Sequence, residues 1–232
     1  MINANKILRQ INSLTEDLIT TGLCDDQNFP HVITKPKNIV SVCIGNLGTT
    51  IFLKNVPYKE IYNEMRKRRL FNFKMIDGAL VLMEYTFNKR ELVHHRLCFF
   101  PSPDLLEYQS HEELYLEDDI YLDILSKQMV TVPLRFDFEN DSDKVCPIEH
   151  PISHLTIGQY SNCRIPVTSA MPPSHFVDFI IRNFYHTAYS KYCSEIRKYP
   201  NEFGQTLYEE EKGVTYIACL LYTSPSPRDP KT

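Results

Sequence analysis

An α+β fold is what this sequence predicts, an antiparallel β-sheet of hairpins covered by N-terminal and C-terminal helices. Three observations carry that expectation. Apolar residues recur at helical spacing near both ends of the chain: Ile7, Leu8, Ile11, Leu14, Leu18 and Ile19 at one, Phe176, Phe179, Ile180, Phe184 and Ala188 at the other. The runs 79–87 and 91–100 flank Asn88-Lys89-Arg90 as a hairpin. Residues 129–138 and 152–158 alternate apolar and polar side chains at the two-residue period of a half-covered strand.

Taken in order, residues 3–20 predict an amphipathic helix whose apolar stripe packs on the body of the protein. Residues 21–37 then read as a loop broken by Pro30 and Pro36. The β-branched runs 38–44 and 49–53 surround Gly45 and Gly48 as a second hairpin, which is no phosphate loop because no lysine and helix follow it. Pro57 suits the first turn of a helix running to about residue 70. That helix ends in Arg66-Lys67-Arg68-Arg69, where cations favourably oppose the helix dipole and a phosphate patch is the sharper alternative. In the central hairpin Val81, Met83, Tyr85 and Phe87 share a face, as do Val93, Leu97 and Phe99, leaving His94, Arg96 and Cys98 on the opposite side. His95 falls on the apolar face and reads as a hydrogen-bonded core histidine. The acidic stretch 107–123 is a solvated helix start more than a metal site. The final helix is expected from a Ser174 N-cap to about Tyr199, stopped by Pro200.

Composition narrows the function classes. Hydrophobic residues make up 43% and charged residues 23% of 232, with a formal net charge of −4. This is globular composition with no overall drive toward nucleic acid or anionic lipid, though a local patch is compatible with it. The expected organisation is one α+β domain over 1–218, truncated at its C-terminus. Residues 219–229, CLLYTSPSPRD, resemble the translation of a sequencing adapter, so 219–232 is expected to be an artefactual disordered tail. Seven cysteines form no C-x-x-C pair and no zinc-ligand spacing. Without a secretory signal or an apolar run of membrane length, the expected location is the cytoplasm, with no membrane, no metal and no cofactor.

The chemistry concentrates in 134–166. There Val132, Leu134, Phe136 and Phe138 alternate with Arg135 and Asp137, and in the next strand-like run His154 and Thr156 alternate with Leu155 and Ile157. If those runs pair antiparallel, Arg135 and Asp137 stand beside His154 and Thr156, about 5 Å apart. Glu149 and His150 enter from the preceding loop, Tyr160 and Arg164 from the following one, and Arg96 from the central hairpin. Histidine exchanges protons near neutral pH, arginine holds phosphate, and aspartate orients an imidazole. The bland alternative is a polar outer sheet face with ordinary ion pairs.

The order Asp77-Gly78, Arg96 to Pro101 (RLCFFP), Arg135-Phe136-Asp137, His150-Pro151-x-x-His154-Leu155-x-Ile157-Gly158, Arg164-Ile165-Pro166 and the helix beginning near Phe176 resembles a bacterial family, domain of unknown function 2290. That resemblance implies a single bacterial domain and conveys no activity. The H-P-x-x-H-x-x-x-G run also resembles motifs of small toxin-type proteins in bacterial conflict systems, with Thr156 where those carry a further histidine. The resulting expectation is a metal-independent RNA-cleaving enzyme of a defence or toxin–antitoxin system. In it His150 and His154 serve as base and acid, Asp137 orients a histidine, and Arg135, Arg164, Tyr160 and Arg96 bind substrate. The alternative is a non-enzymatic interaction module that docks a larger effector encoded nearby.

Overall fold

In the computed structural model, which describes residues 2–45, 56–104, 110, 113, 132–160, 162–200 and 203–219, Asn3 caps the first helix. Its Oδ1 accepts from Lys6 N at 3.0 Å, and α1 (Ala4–Thr20) follows. Ile7, Ile11, Leu14 and Leu18 are fully buried, whereas Ile19 stays 40% exposed. Gly22 closes the helix at φ +73°, a left-handed position that glycine takes without a Cβ penalty.

Residues 21–37 are not a plain loop. They contain β1 (Cys24–Gln27) and β2 (His31–Lys35), separated by the stretch holding Pro30. Both are short and polar, so local propensity does not announce them; pairing with neighbours makes them strands. β2 pairs with β3 (Ile39–Cys43), so the hairpin partner of this run precedes it in sequence. The expected partner at 49–53 lies outside the described residues, as does the acidic stretch 107–123 apart from residues 110 and 113. α2 (Tyr58–Lys67) uses Pro57 as its N-cap and ends where Arg69 takes φ +53°. Arg69 then forks onto Asp26 at 2.6 and 2.8 Å, which commits one member of the basic cluster to an ion pair. β4 (Phe73–Met75), too short to show periodicity, pairs with β1 and with β5 (Leu80–Asn88).

The nine described strands form one sheet, completed by β6 (Glu91–Phe100), β7 (Leu134–Glu139), β8 (Ser153–Ile157) and β9 (Ile165–Pro166). Its order is β1-β4-β5-β6-β7-β8-β9, and β3 also pairs with β5, further along that strand than β4 does. All these pairings are antiparallel. One bulge corrects the expected alternation: Thr86 faces His94 but Phe87 faces Leu92, so Val93 is the extra residue. Leu92, not Val93, therefore enters the core. Leu92→Ala is accordingly expected to cost about 2–4 kcal/mol in urea unfolding and Val93→Ala under about 1 kcal/mol. Equal losses would contradict the bulge.

Val81, Met83, Tyr85, Phe87, Leu97, Phe99, Phe136 and Leu155 face α1 and α3 (Pro173–Phe184) across one core. His95 joins them at 1% exposure, accepting at Nε2 from Met171 N at 3.0 Å, between the rings of Tyr85 and Phe138. On the other face α2 buries Ile61, Tyr62 and Met65 against Leu80, Leu82, Cys98 and Phe100. The expected last helix is in fact two. Tyr185, at φ −134° and ψ +59°, ends α3 and α4 (His186–Tyr192) restarts beyond it. The fully buried Tyr185 donates its hydroxyl to Asp77 Oδ1 at 2.7 Å, and that anchorage accompanies the break. Pro172, not Ser174, occupies the N-cap, which places Ser174 inside the helix with its hydroxyl unpartnered. Cys219, the last described residue, donates its N–H to Thr168 Oγ1.

Candidate functional site

The antiparallel register lays one polar row across the sheet face that α2 covers only at one end. Glu84 of β5 faces Arg96 of β6, Arg96 faces Asp137 of β7, and Asp137 faces His154 of β8. Three strand spacings make this row ~14 Å long. The flanking row runs from Cys98 to Arg135 to Thr156. Strand alternation puts these side chains on a common side, and α2 stops at Leu80, Leu82, Cys98 and Phe100, where the polar residues begin.

Asp137 is the hub. Its Oδ1 accepts from Arg96 Nε at 3.2 Å and its Oδ2 from Arg135 Nε at 2.5 Å, while His154 Nε2 lies 3.8 Å from Oδ2. Burial at 7% exposure opposes ionisation of Asp137, but Arg135 and then Arg96 outweigh it and hold the carboxyl below its usual range. One carboxylate thus accepts from two guanidinium groups. At the far end of the row, burial pushes Glu84 up to about 7 against the pull of Arg96 and Lys35.

Both histidines of the 150–154 pair are held through the same nitrogen. His150 Nδ1 lies 2.7 Å from Lys144 O and His154 Nδ1 lies 2.9 Å from Pro151 O. A carbonyl only accepts, so each neutral ring carries its proton on Nδ1 and keeps Nε2 as the proton-accepting atom. The ring centroids stand 5.1 Å apart. Desolvation of the 2% exposed His154 lowers its pKa to about 4, with Asp137 opposing the shift, so it is neutral at pH 7 and suits a base better than an acid. His94, on the same face, is also lowered, first by burial and then by Arg96. Thr156 Oγ1, 5% exposed as a residue, has no hydrogen-bond partner beside this cluster.

The sequence-predicted residues are therefore partly gathered. Arg96, Arg135, Asp137 and His154 converge on one carboxylate, and His150 reaches that group through His154. Arg164 stands at the margin, donating from Nη1 to Glu149 O at 3.2 Å. Tyr160 is not brought in: it is 74% exposed on the turn after β8, near Gly158. Sequence reasoning missed Glu84, although a carboxylate following Leu80 and Leu82 at two-residue spacing was the signal. Among the described residues no group of three or more His, Cys, Asp or Glu side chains is disposed to hold a metal ion, and no helix is long and apolar enough to cross a membrane.

Fold and site together define an α+β protein in which a large antiparallel sheet carries a buried guanidinium–carboxylate–imidazole row. Residues 23–219 match the model of DUF2290, uncharacterized conserved protein, and the chain belongs to that family. No curated protein and no solved structure matches it.

Proposed function

We propose that the polar row binds a phosphodiester and that the protein cleaves RNA, with His150 and His154 exchanging the protons. The observation that supports this best is the pair of imidazoles 5.1 Å apart, each fixed by a main-chain carbonyl so that Nε2 is the reactive atom. Beside them Asp137 gathers the guanidinium groups of Arg96 and Arg135, a side-chain type suited to holding phosphate. Imidazole chemistry alone favours a nucleophile already within the substrate, and the ribose 2′-hydroxyl is one, which is the reason for RNA over DNA. In that scheme neutral His154 takes the 2′-hydroxyl proton, the 2′-oxygen attacks phosphorus, and protonated His150 gives a proton to the departing 5′-oxygen. The products are a 2′,3′-cyclic phosphate and a free 5′-hydroxyl. Arg135, Arg96 and Arg164 stabilise the phosphorane charge, and Asp137 holds the arginines in place.

The test is incubation of the purified full chain with end-labelled single-stranded RNA. Cyclic-phosphate ends are expected, with His150→Ala and His154→Ala each lowering the rate about 10²–10⁴-fold. Cleavage that survives both substitutions, or none in the wild type, overturns the reading. A docking module is favoured by one observation, the exposed apolar side chains Ile148, Tyr208 and Val214 around residue 211. An inactive wild type that nonetheless binds a protein through Ile148 would select it.

A further inference from the structure

The turn that carries His150 holds a strained residue. Cys146 and His150 exchange both main-chain hydrogen bonds, at 3.0 and 2.7 Å, and so close Pro147-Ile148-Glu149 into a tight loop. Ile148 sits at φ +69°. A β-branched residue in the left-handed region costs on the order of 1–3 kcal/mol and persists only where surroundings impose it. Part of that is local, since Glu149 N donates to Pro147 O at 2.8 Å and closes a γ-turn about Ile148; a second tie comes from far along the chain. Glu211, in the short turn Glu210–Gly213 and only 1% exposed, accepts from Ile148 N at 3.3 Å through Oε1 and from Tyr208 N at 2.9 Å through Oε2. Among the described residues its carboxylate has no cationic partner. A strained backbone and a buried carboxylate held by amides alone meet in the loop that ends at His150. His150 in turn has its Nδ1 proton directed at Lys144 O, a few residues back along the same hairpin.

We infer that Glu211 is a positioning residue for His150: it clamps the strained Ile148 turn and so sets the imidazole tautomer and placement beside His154. This rests on the catalytic reading of His150 only for its effect on turnover, not for its effect on the ring. The experiment is long-range proton–nitrogen NMR of the full chain, assigning the His150 tautomer, together with RNA cleavage. Wild type is expected to show His150 in the Nδ1–H form. Glu211→Ala is expected to yield a mixture of tautomers and a kcat about 100-fold lower with KM little changed, and Glu211→Gln, which keeps one acceptor, a smaller effect. Adding Ile148→Gly to Glu211→Ala is expected to restore the wild-type tautomer and rate, since glycine adopts φ +69° without a clamp. A His150 spectrum unmoved in Glu211→Ala, or moved but not restored by Ile148→Gly, overturns the inference. If Glu211→Ala does not fold, the Glu211→Gln spectrum decides alone: an unaltered His150 tautomer overturns the clamp. A wild type without cleavage, but with the tautomer lost and restored as expected, refutes the catalytic reading and leaves the positioning role standing.

Discussion

Asp137→Ala is expected to destabilise the protein by about 3–5 kcal/mol, because it removes the carboxylate to which two partly buried guanidinium groups both donate. The Arg96 and Arg135 side chains are 16% and 26% exposed, and each donates its Nε to Asp137. Removing the acceptor leaves desolvated cations and adds mutual repulsion between them. Surface ion pairs cost only about 0–1 kcal/mol when broken, so the size of the loss separates a buried hub from a decorated outer face. Urea unfolding of the two proteins, compared at matched slope, measures it. A loss under about 1 kcal/mol would mean that solvent screens the row and that Asp137 organises nothing. A companion variant sharpens the point. Replacing all three groups at once, Arg96→Met, Asp137→Leu and Arg135→Met, is expected to be near neutral or stabilising, as buried ionic groups exchanged for apolar ones of similar volume often are. That triple variant keeps the fold while removing the anion site. Loss of RNA cleavage in it, at undiminished stability, is then a chemical effect and not an unfolding one.

The face carrying this network was legible in the sequence because a strand has a period of two and the apolar–polar alternation of 134–138 and 154–157 is clean, although most residues of both runs are buried. Register followed the hydrophobic pattern, so Asp137 opposite His154 was readable before any coordinates. The helix at 4–20 was equally plain from its stripe. What escaped notice depends on contacts distant in sequence. β1, β2 and β4 are three to five residues long and exist because a neighbour pairs with them. The bulge at Val93 shifts one residue between faces, and nothing in the residue types announces it. Tyr185 breaks the last helix where its hydroxyl is bonded 108 residues away, to Asp77. Glu84 carried a local signal, its two-residue spacing from Leu80 and Leu82, whereas Glu211 carried none: its carboxylate meets Ile148 across 63 residues.

Acid is expected to unfold this protein more steeply than its carboxylates alone would require. Burial lowers His95 to about 3 and His154 to about 4, from an ordinary 6.5. In both cases the unfolded chain takes up the proton first, so their contribution to stability is intact above about 6.5 and is lost as pH falls toward the folded values. Glu84 has the opposite sign. Raised from 4.5 to about 7, it is protonated first in the folded state, so it stabilises below 4.5 and loses that contribution as pH rises through about 7. Between about 6.5 and 4.5 Glu84 therefore offsets one histidine, leaving a slope of ~1.4 kcal/mol per pH unit; below 4.5 the slope doubles until His154 charges near 4. Denaturant titrations at pH 7, 5.5 and 4.5 measure this profile, and Glu84→Gln isolates its parts. Without the opposing carboxyl, the loss from pH 7 to 4.5 is expected to be roughly twice that of the wild type. A wild-type profile flat across that range, unchanged by Glu84→Gln, would mean that neither the core histidine nor the polar row is as dry as the packing makes them.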